Sequence, residues 1–118
     1  MSENNQMLQE AFNIIYIGAA KQNFVRSVDK TLYYCRYVGD NNTKCHIGHL
    51  IPDAEYTPKL EGKEFSISKD LQKILIKYKD YFELLTELQH LHDTDINNNT
   101  QEDLIKFAQK YNLTIPSY

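Results

Sequence analysis

The chain has 118 residues, of which 42% are hydrophobic and 25% charged, with 13 basic against 16 acidic side chains and a formal net charge of −3. That length fits one domain, since a single core usually serves roughly 100–200 residues, and it excludes a two-domain enzyme of the dehydrogenase or kinase type. The slight acidic balance leaves no basic excess for strong nucleic-acid binding and is too weak for a DNA mimic.

The opening ten residues are polar and carry no basic region ahead of an apolar run, so no signal peptide is expected. No stretch reaches the roughly 18 apolar residues of a membrane span. The expectation is a cytoplasmic protein without a membrane partner. Residues 2–22 read as a helix. Met7, Ala11, Ile14, Ile15, Gly18 and Ala19 recur at helical spacing, and Leu8 and Phe12 widen the stripe. Core packing accounts for nearly all of this face, and the small residues Gly18, Ala19 and Ala20 would let another element come close.

The period then changes. Residues 31–38 are β-branched and aromatic, 39–43 form a turn cluster, and 45–51 make a second strand-like run stopped by Pro52. This pattern predicts a β-hairpin. With Val38 facing Lys44, one face carries Tyr33, Cys35, Tyr37, Cys45, Ile47, His49 and Ile51. The other carries Tyr34, Arg36, Val38, Lys44, His46 and Leu50. The first face is the core candidate, which leaves Arg36 and His46 in solvent. A one-residue bulge in the turn would exchange the faces. Residues 52–62 form an irregular connector in which Asp53 can cap one short turn and Pro58 limits its length.

From Ser68 the helical period returns through Leu71, Ile74, Leu75, Tyr78, Phe82, Leu85 and Leu88. One unbroken helix to His92 would run about 36 Å at a rise of about 1.5 Å per residue. However, Asp80-Tyr-Phe-Glu83 has the character of a capping box, which allows a break near Lys79 and Asp80 and two helices in place of one. A polar loop follows at 93–99. Thr100-Gln-Glu-Asp103 is a clean capping box, Leu104, Ile105, Phe107, Ala108 and Tyr111 form the next apolar face, and Asn112 suits a left-handed C-cap. The expected fold class is α+β: a single domain over 1–118 with a β-hairpin packed against three or four helices.

Four constellations could carry chemistry. Cys35, Cys45, His46 and His49 have a spacing that matches no usual zinc finger, and Cys45 and His49 would lie about 13 Å apart on an extended strand. A Cys35–Cys45 disulfide fits poorly because the two would be diagonal neighbours in a reducing compartment. Asp93-x-Asp95-x-Asn97-x-Asn99 opens like an EF-hand loop, but Asn98 stands where Gly is expected and Leu104 where a bidentate Glu is required. No metal or cofactor is expected. His90, His92 and Asp93 close a helix, where the dipole favours histidine. The enzymatic alternative makes Cys45 a nucleophile, His92 its base and Asp93 the orienting group, but no Gly-rich nucleophile turn accompanies Cys45.

The Tyr-rich stretch is the most suggestive surface. Tyr33, Tyr34, Tyr37 and Tyr56 with Arg36 and Lys44 would make an aromatic and cationic ligand-binding pocket. Rings stack on a base while Arg and Lys meet one or two phosphates. Ordinary strand filling explains the tyrosines equally well.

Cys35-Arg-Tyr37, Cys45-His-Ile-Gly-His-Leu-Ile-Pro-Asp53, Tyr56-x-Pro58, Glu61-Gly62 and the later Leu88-Gln-x-x-His-Asp93 cover about half of the chain. In these blocks the sequence resembles a family of small phage and prophage proteins. The resemblance implies a phage accessory setting, in the host cytoplasm, in which such proteins counter host defence or bind host factors. The leading expectation is therefore a non-enzymatic binding protein that sequesters a nucleotide-like ligand or binds a host protein. The alternatives are a small Cys/His-dependent hydrolase and a structural or regulatory homo-oligomer formed through the helix carrying Tyr78 and Phe82.

Overall fold

In the computed structural model, residues 3–29, 34–39, 43–94 and 99–117 are described, with 3–5, 28–29 and 34–35 described through the backbone. Helix α1 spans Glu3–Lys21. The strands β1 (Val28–Asp29) and β2 (Tyr34–Cys35) follow, and then short 3₁₀ turns at Ile47–Leu50, Asp53–Glu55 and Pro58–Leu60. Helix α2 spans Lys69–Ile74, a 3₁₀ turn covers Ile76–Tyr81, and α3 (Phe82–Asp93) and α4 (Thr100–Lys110) complete the chain.

The α+β class is overturned: the protein is helical. Among the described residues, extended pairing is limited to the two-residue antiparallel ladder of β1 with β2 and a single bridge between Val38 and Lys44. Among the described residues, which leave out 31–33 and 40–42, the expected hairpin joining 31–38 to 45–51 is not formed and there is no sheet face for helices to pack on. The expected Val38–Lys44 pairing is formed, but beyond it the chain turns inward. His49 N–H donates to the Cys45 carbonyl at 3.1 Å and residues 47–50 wind into the 3₁₀ turn. The physical reason lies in burial. Cys45, His46, Ile47, Gly48, Leu50 and Ile51 are all buried, so the segment is surrounded on all sides, and no polar-out face alternates with an apolar-in one. Gly48 makes this possible, because a β-carbon there would overlap the Tyr37 carbonyl. His46, expected in solvent, is consequently buried at 2% exposure.

Helix α1 presents Ala11, Phe12, Ile15 and Ala19 to the core, and packs on the Ile47–Leu50 turn, the Ile76–Tyr81 turn and α4. Phe12 stacks on Phe107 of α4 with ring centroids 6.2 Å apart. The helix ends with Asn23 and Phe24 both at φ 57°, and Phe24 N–H donates to the Ala19 carbonyl at 2.7 Å. A left-handed Phe costs about 1–2 kcal/mol, and its ring, set edge-on against Tyr16 at 5.5 Å, offsets that cost. This reversal carries the chain to Arg26 and Ser27. The Arg26 guanidinium then donates through Nε to the His92 carbonyl and through Nη2 to the Asp93 carbonyl, both at 2.9 Å, closing the C-terminus of α3.

The 68–92 segment does divide, and the division brackets Lys79 and Asp80: α2 stops at Leu75 (φ −101°, ψ 26°) and α3 starts after Tyr81 (φ −119°, ψ 15°). Ser68 caps α2 by accepting from Leu71 N–H at 3.3 Å, and the kink sits at Tyr78 (φ −101°, ψ 16°), whose ring is buried. At the other end Asn112 adopts φ 60° and Leu113 N–H donates to the Ala108 carbonyl at 2.8 Å, the left-handed cap expected for α4. Among the described residues no helix is long and apolar enough to cross a membrane.

Candidate functional site

Two neighbouring groups of polar side chains meet along α3. One is buried. Two turns of α3 place Thr86, Gln89, His90 and Asp93 on one face of that helix, and the adjacent His92 turns inward to 2% exposure. His92 Nε2 accepts from Ser27 N–H at 3.1 Å. Nδ1 therefore carries the proton and donates to Asp93 Oδ1 at 3.1 Å, a tautomer assigned from the hydrogen-bond network. The same Asp93 oxygen accepts from Gln89 Nε2 at 2.9 Å, and Gln89 Oε1 accepts from Ile47 N–H at 2.9 Å. His46 lies edge-on to His92 with centroids 5.2 Å apart. Burial first, and then His92 and His49, hold His46 well below the ordinary histidine value. His49 is lowered to about 4 by burial and secondarily by Lys44 and His92.

Cys45 sits in the same interior. It is a free thiol with no solvent exposure, and its Sγ accepts from Gly48 N–H at 3.2 Å. Burial pushes the thiol well above its usual value, the opposite of what an attacking thiolate needs. His92 and Asp93 do form the hydrogen bond a catalytic pair requires. However, the nitrogen that would take a proton from a nucleophile is engaged with Ser27. No cluster of three His, Cys, Asp or Glu residues placed to hold a metal occurs among the described residues. Part of the EF-hand-like loop, Asp95, Asn97 and Asn98, lies outside them.

The second group is open to solvent. A cleft of about 220 Å³ is bounded by Arg36 and Tyr37 on one side, by the 61–66 segment on another, and by the polar face of α3. Its anchor is Glu61, whose side chain is 8% exposed. Glu61 Oε1 accepts from Tyr37 N–H at 2.9 Å, and Oε2 accepts from Val38 N–H at 3.1 Å and from the Tyr56 hydroxyl at 2.6 Å. Arg36 Nε stands 3.9 Å from Oε2. Two successive backbone N–H groups, a phenol and a guanidinium thus form an anion nest that the chain fills with its own carboxylate. Burial, and then Glu61, push the Tyr56 hydroxyl up to about 12. Burial likewise raises Tyr37, whose hydroxyl donates to the Lys63 carbonyl.

Of the six expected ligand residues, Arg36 and Tyr37 line the cleft, and Tyr56 supports it through Glu61. Lys44 is turned elsewhere, pairing with Asp53 at 3.0 Å, while its backbone N–H and C=O both bind the Gln22 side chain. Tyr34 is described through its backbone alone, and Tyr33 lies outside the described residues. Sequence reasoning missed Lys63, Glu64 and Gln89, and read His90 only as a histidine closing its helix. The signal for the last two was present: polar residues at helical spacing with Thr86 and Asp93 on an otherwise amphipathic helix. No protein-family model matches the chain, and neither a curated protein nor a solved structure matches it.

Proposed function

We propose that the chain is a non-enzymatic binding protein that holds a small ligand in the cleft beside Arg36 and Tyr37. The observation that supports this reading is a contrast in access. The residues suited to catalysis, Cys45 and His92, are buried and bound to backbone amides. The open cleft instead offers the Arg36 guanidinium, the exposed His90 imidazole and the exposed Asp93 carboxylate, beside the buried Tyr37 and Gln89. Such groups orient a ligand and discriminate its functional groups. The cleft is smaller than the roughly 300–1,000 Å³ of a site for a whole drug-sized molecule. A nucleotide-like ligand would therefore enter by one end. In the phage setting that the resemblance implies, the protein acts in the host cytoplasm, withdrawing a small signal or occupying a host protein. An oligomer through Tyr78 draws no support, because that ring is spent in the chain's own core.

Calorimetry of the full chain against cyclic and linear nucleotides and ADP-ribose derivatives, with native mass spectrometry of the freshly purified protein, tests the reading. Binding that weakens by about 1.5–3 kcal/mol in Arg36→Ala, the range for a charge-assisted hydrogen bond, supports it. No bound nucleotide by either method, with Arg36→Ala still folded and active in infected cells, would end the nucleotide-like reading of the ligand.

A further inference from the structure

We infer that the ligand of this cleft carries charges of both signs; the inference rests on the reading of the cleft as the binding site. Five charged residues border the cleft, the cations Arg36 and Lys63 and the carboxylates Glu61, Glu64 and Asp93; Arg36 already stands beside Glu61, and Asp93 pairs with His92 and Gln89. A space of about 220 Å³ is roughly 7–8 Å across if compact, no wider than the screening length of about 8 Å at physiological ionic strength. Every one of these charges therefore acts on whatever occupies it.

A dianion such as a phosphate monoester would gain Arg36 and Lys63 but would face all three carboxylates. A simple cation would meet the reverse mixture. A molecule with one charge of each sign satisfies both sides. Its carboxylate or phosphate lies against Arg36, whose planar fork suits such groups. Its ammonium or amidine points to Glu64 and Asp93. The two carboxylates come from different elements, the 61–66 segment and α3, so the cationic end is held from two directions. Glu61 adds selectivity. Its negative charge beside Arg36 is fixed by two backbone N–H groups and the Tyr56 hydroxyl, and it disfavours any ligand that brings more than one negative charge to that end.

Three probes of equal length separate the possibilities: 5-aminovalerate, glutarate and cadaverine, with adenosine monophosphate as a fourth. Each is titrated into the full chain and followed by the amide shifts of Arg36, Tyr37 and residues 62–66. The expected result is binding of 5-aminovalerate about three- to fivefold tighter than glutarate or cadaverine, the gain of one additional half-exposed ion pair. Glu64→Gln, a change at an exposed position, should reduce that preference and strengthen glutarate. Tighter binding of glutarate, cadaverine or adenosine monophosphate would overturn the charge assignment while leaving the cleft as the site. If none of the four moves these amides, the cleft reading falls as well.

Discussion

The imidazole of His49 fills the place that a side chain on Gly18 would take: a β-carbon built there would lie 2.7 Å from Cε1 and 2.8 Å from Cγ of the ring. The contact joins the last turns of α1 to the Ile47–Leu50 turn. Gly18→Ala should gain up to about 1 kcal/mol in helix propensity and lose about 1–3 kcal/mol to overpacking, for a net destabilisation. In Gly18→Ala/His49→Ala the clash is gone, so the two changes should couple by at least about 0.5 kcal/mol in urea denaturation. Strict additivity would mean that the ring moves aside freely.

Acid should loosen the fold before the carboxylates are reached. His46 and His49 are held below the ordinary histidine value, chiefly by burial, and then His46 by His92 and His49, and His49 by Lys44 and His92. Below about pH 6.5 the unfolded chain takes up protons that these rings refuse in the fold, so stability falls as pH falls. The slope is up to about 1.4 kcal/mol per pH unit for each ring that stays neutral. For His49 it fades near pH 4, where the folded ring protonates. Denaturation midpoints at about pH 7.5 and about pH 5.5 read this directly, and His49→Asn should flatten part of the difference. Equal midpoints in the wild-type protein would rule out neutral burial of the two rings.

His92 serves as a backbone acceptor. Replacing it by Ala removes the partner of Ser27 N–H and opens a hole beside His46. A loss of about 2–4 kcal/mol is expected from the unsatisfied amide and the cavity together. Asp93→Asn keeps an oxygen acceptor and should cost less than about 1 kcal/mol. A His92→Ala variant as stable as the parent would contradict this role.

Glu61 should prove more costly to lose than its position in a connector suggests. In Glu61→Ala the amides of Tyr37 and Val38 and the hydroxyl of Tyr56 lose their acceptor at once. About 2–4 kcal/mol should follow, since each buried unsatisfied group costs about 1–3 kcal/mol and the rim can rehydrate in part. Glu61→Gln retains one oxygen and should fall between. Thermal denaturation of the two variants gives the order, and Ala no worse than Gln would refute the nest.

The sequence disclosed elements wherever one residue period ran long enough. The α1 stripe needs only the recurrence of Ala11, Ile15 and Ala19, and Asn112 announces the end of α4. The failure at 45–51 is instructive because the local pattern of Ile47, His49 and Ile51 alternates as a strand would. What decides the matter is distant. Gln89 takes the Ile47 amide, α1 offers a gap at Gly18, and the Tyr37 carbonyl sits on Gly48. Gln89 and Gly18 lie outside any window where periodicity operates, and short apolar runs do not distinguish a strand from a buried turn. For the site, the chemistry of Arg36 and Tyr37 could be read from their type. Glu61 could not, since a carboxylate in an irregular segment is ordinarily solvated.

Helix α3 also acts as a surrogate strand for the loops beside it. Ser27 N–H ends on His92, and Ile47 N–H ends on Gln89, 65 and 42 residues away along the chain. Both amides belong to short irregular stretches, yet their protection from hydrogen exchange is governed by side chains on a separate helix. Their exchange rates therefore report the docking of α3 and not local secondary structure, and the two can be tuned separately. Gln89→Ala should release Ile47 while Ser27 stays slow, and deuterium uptake at these two positions becomes a measure of how the loops open independently of the helices.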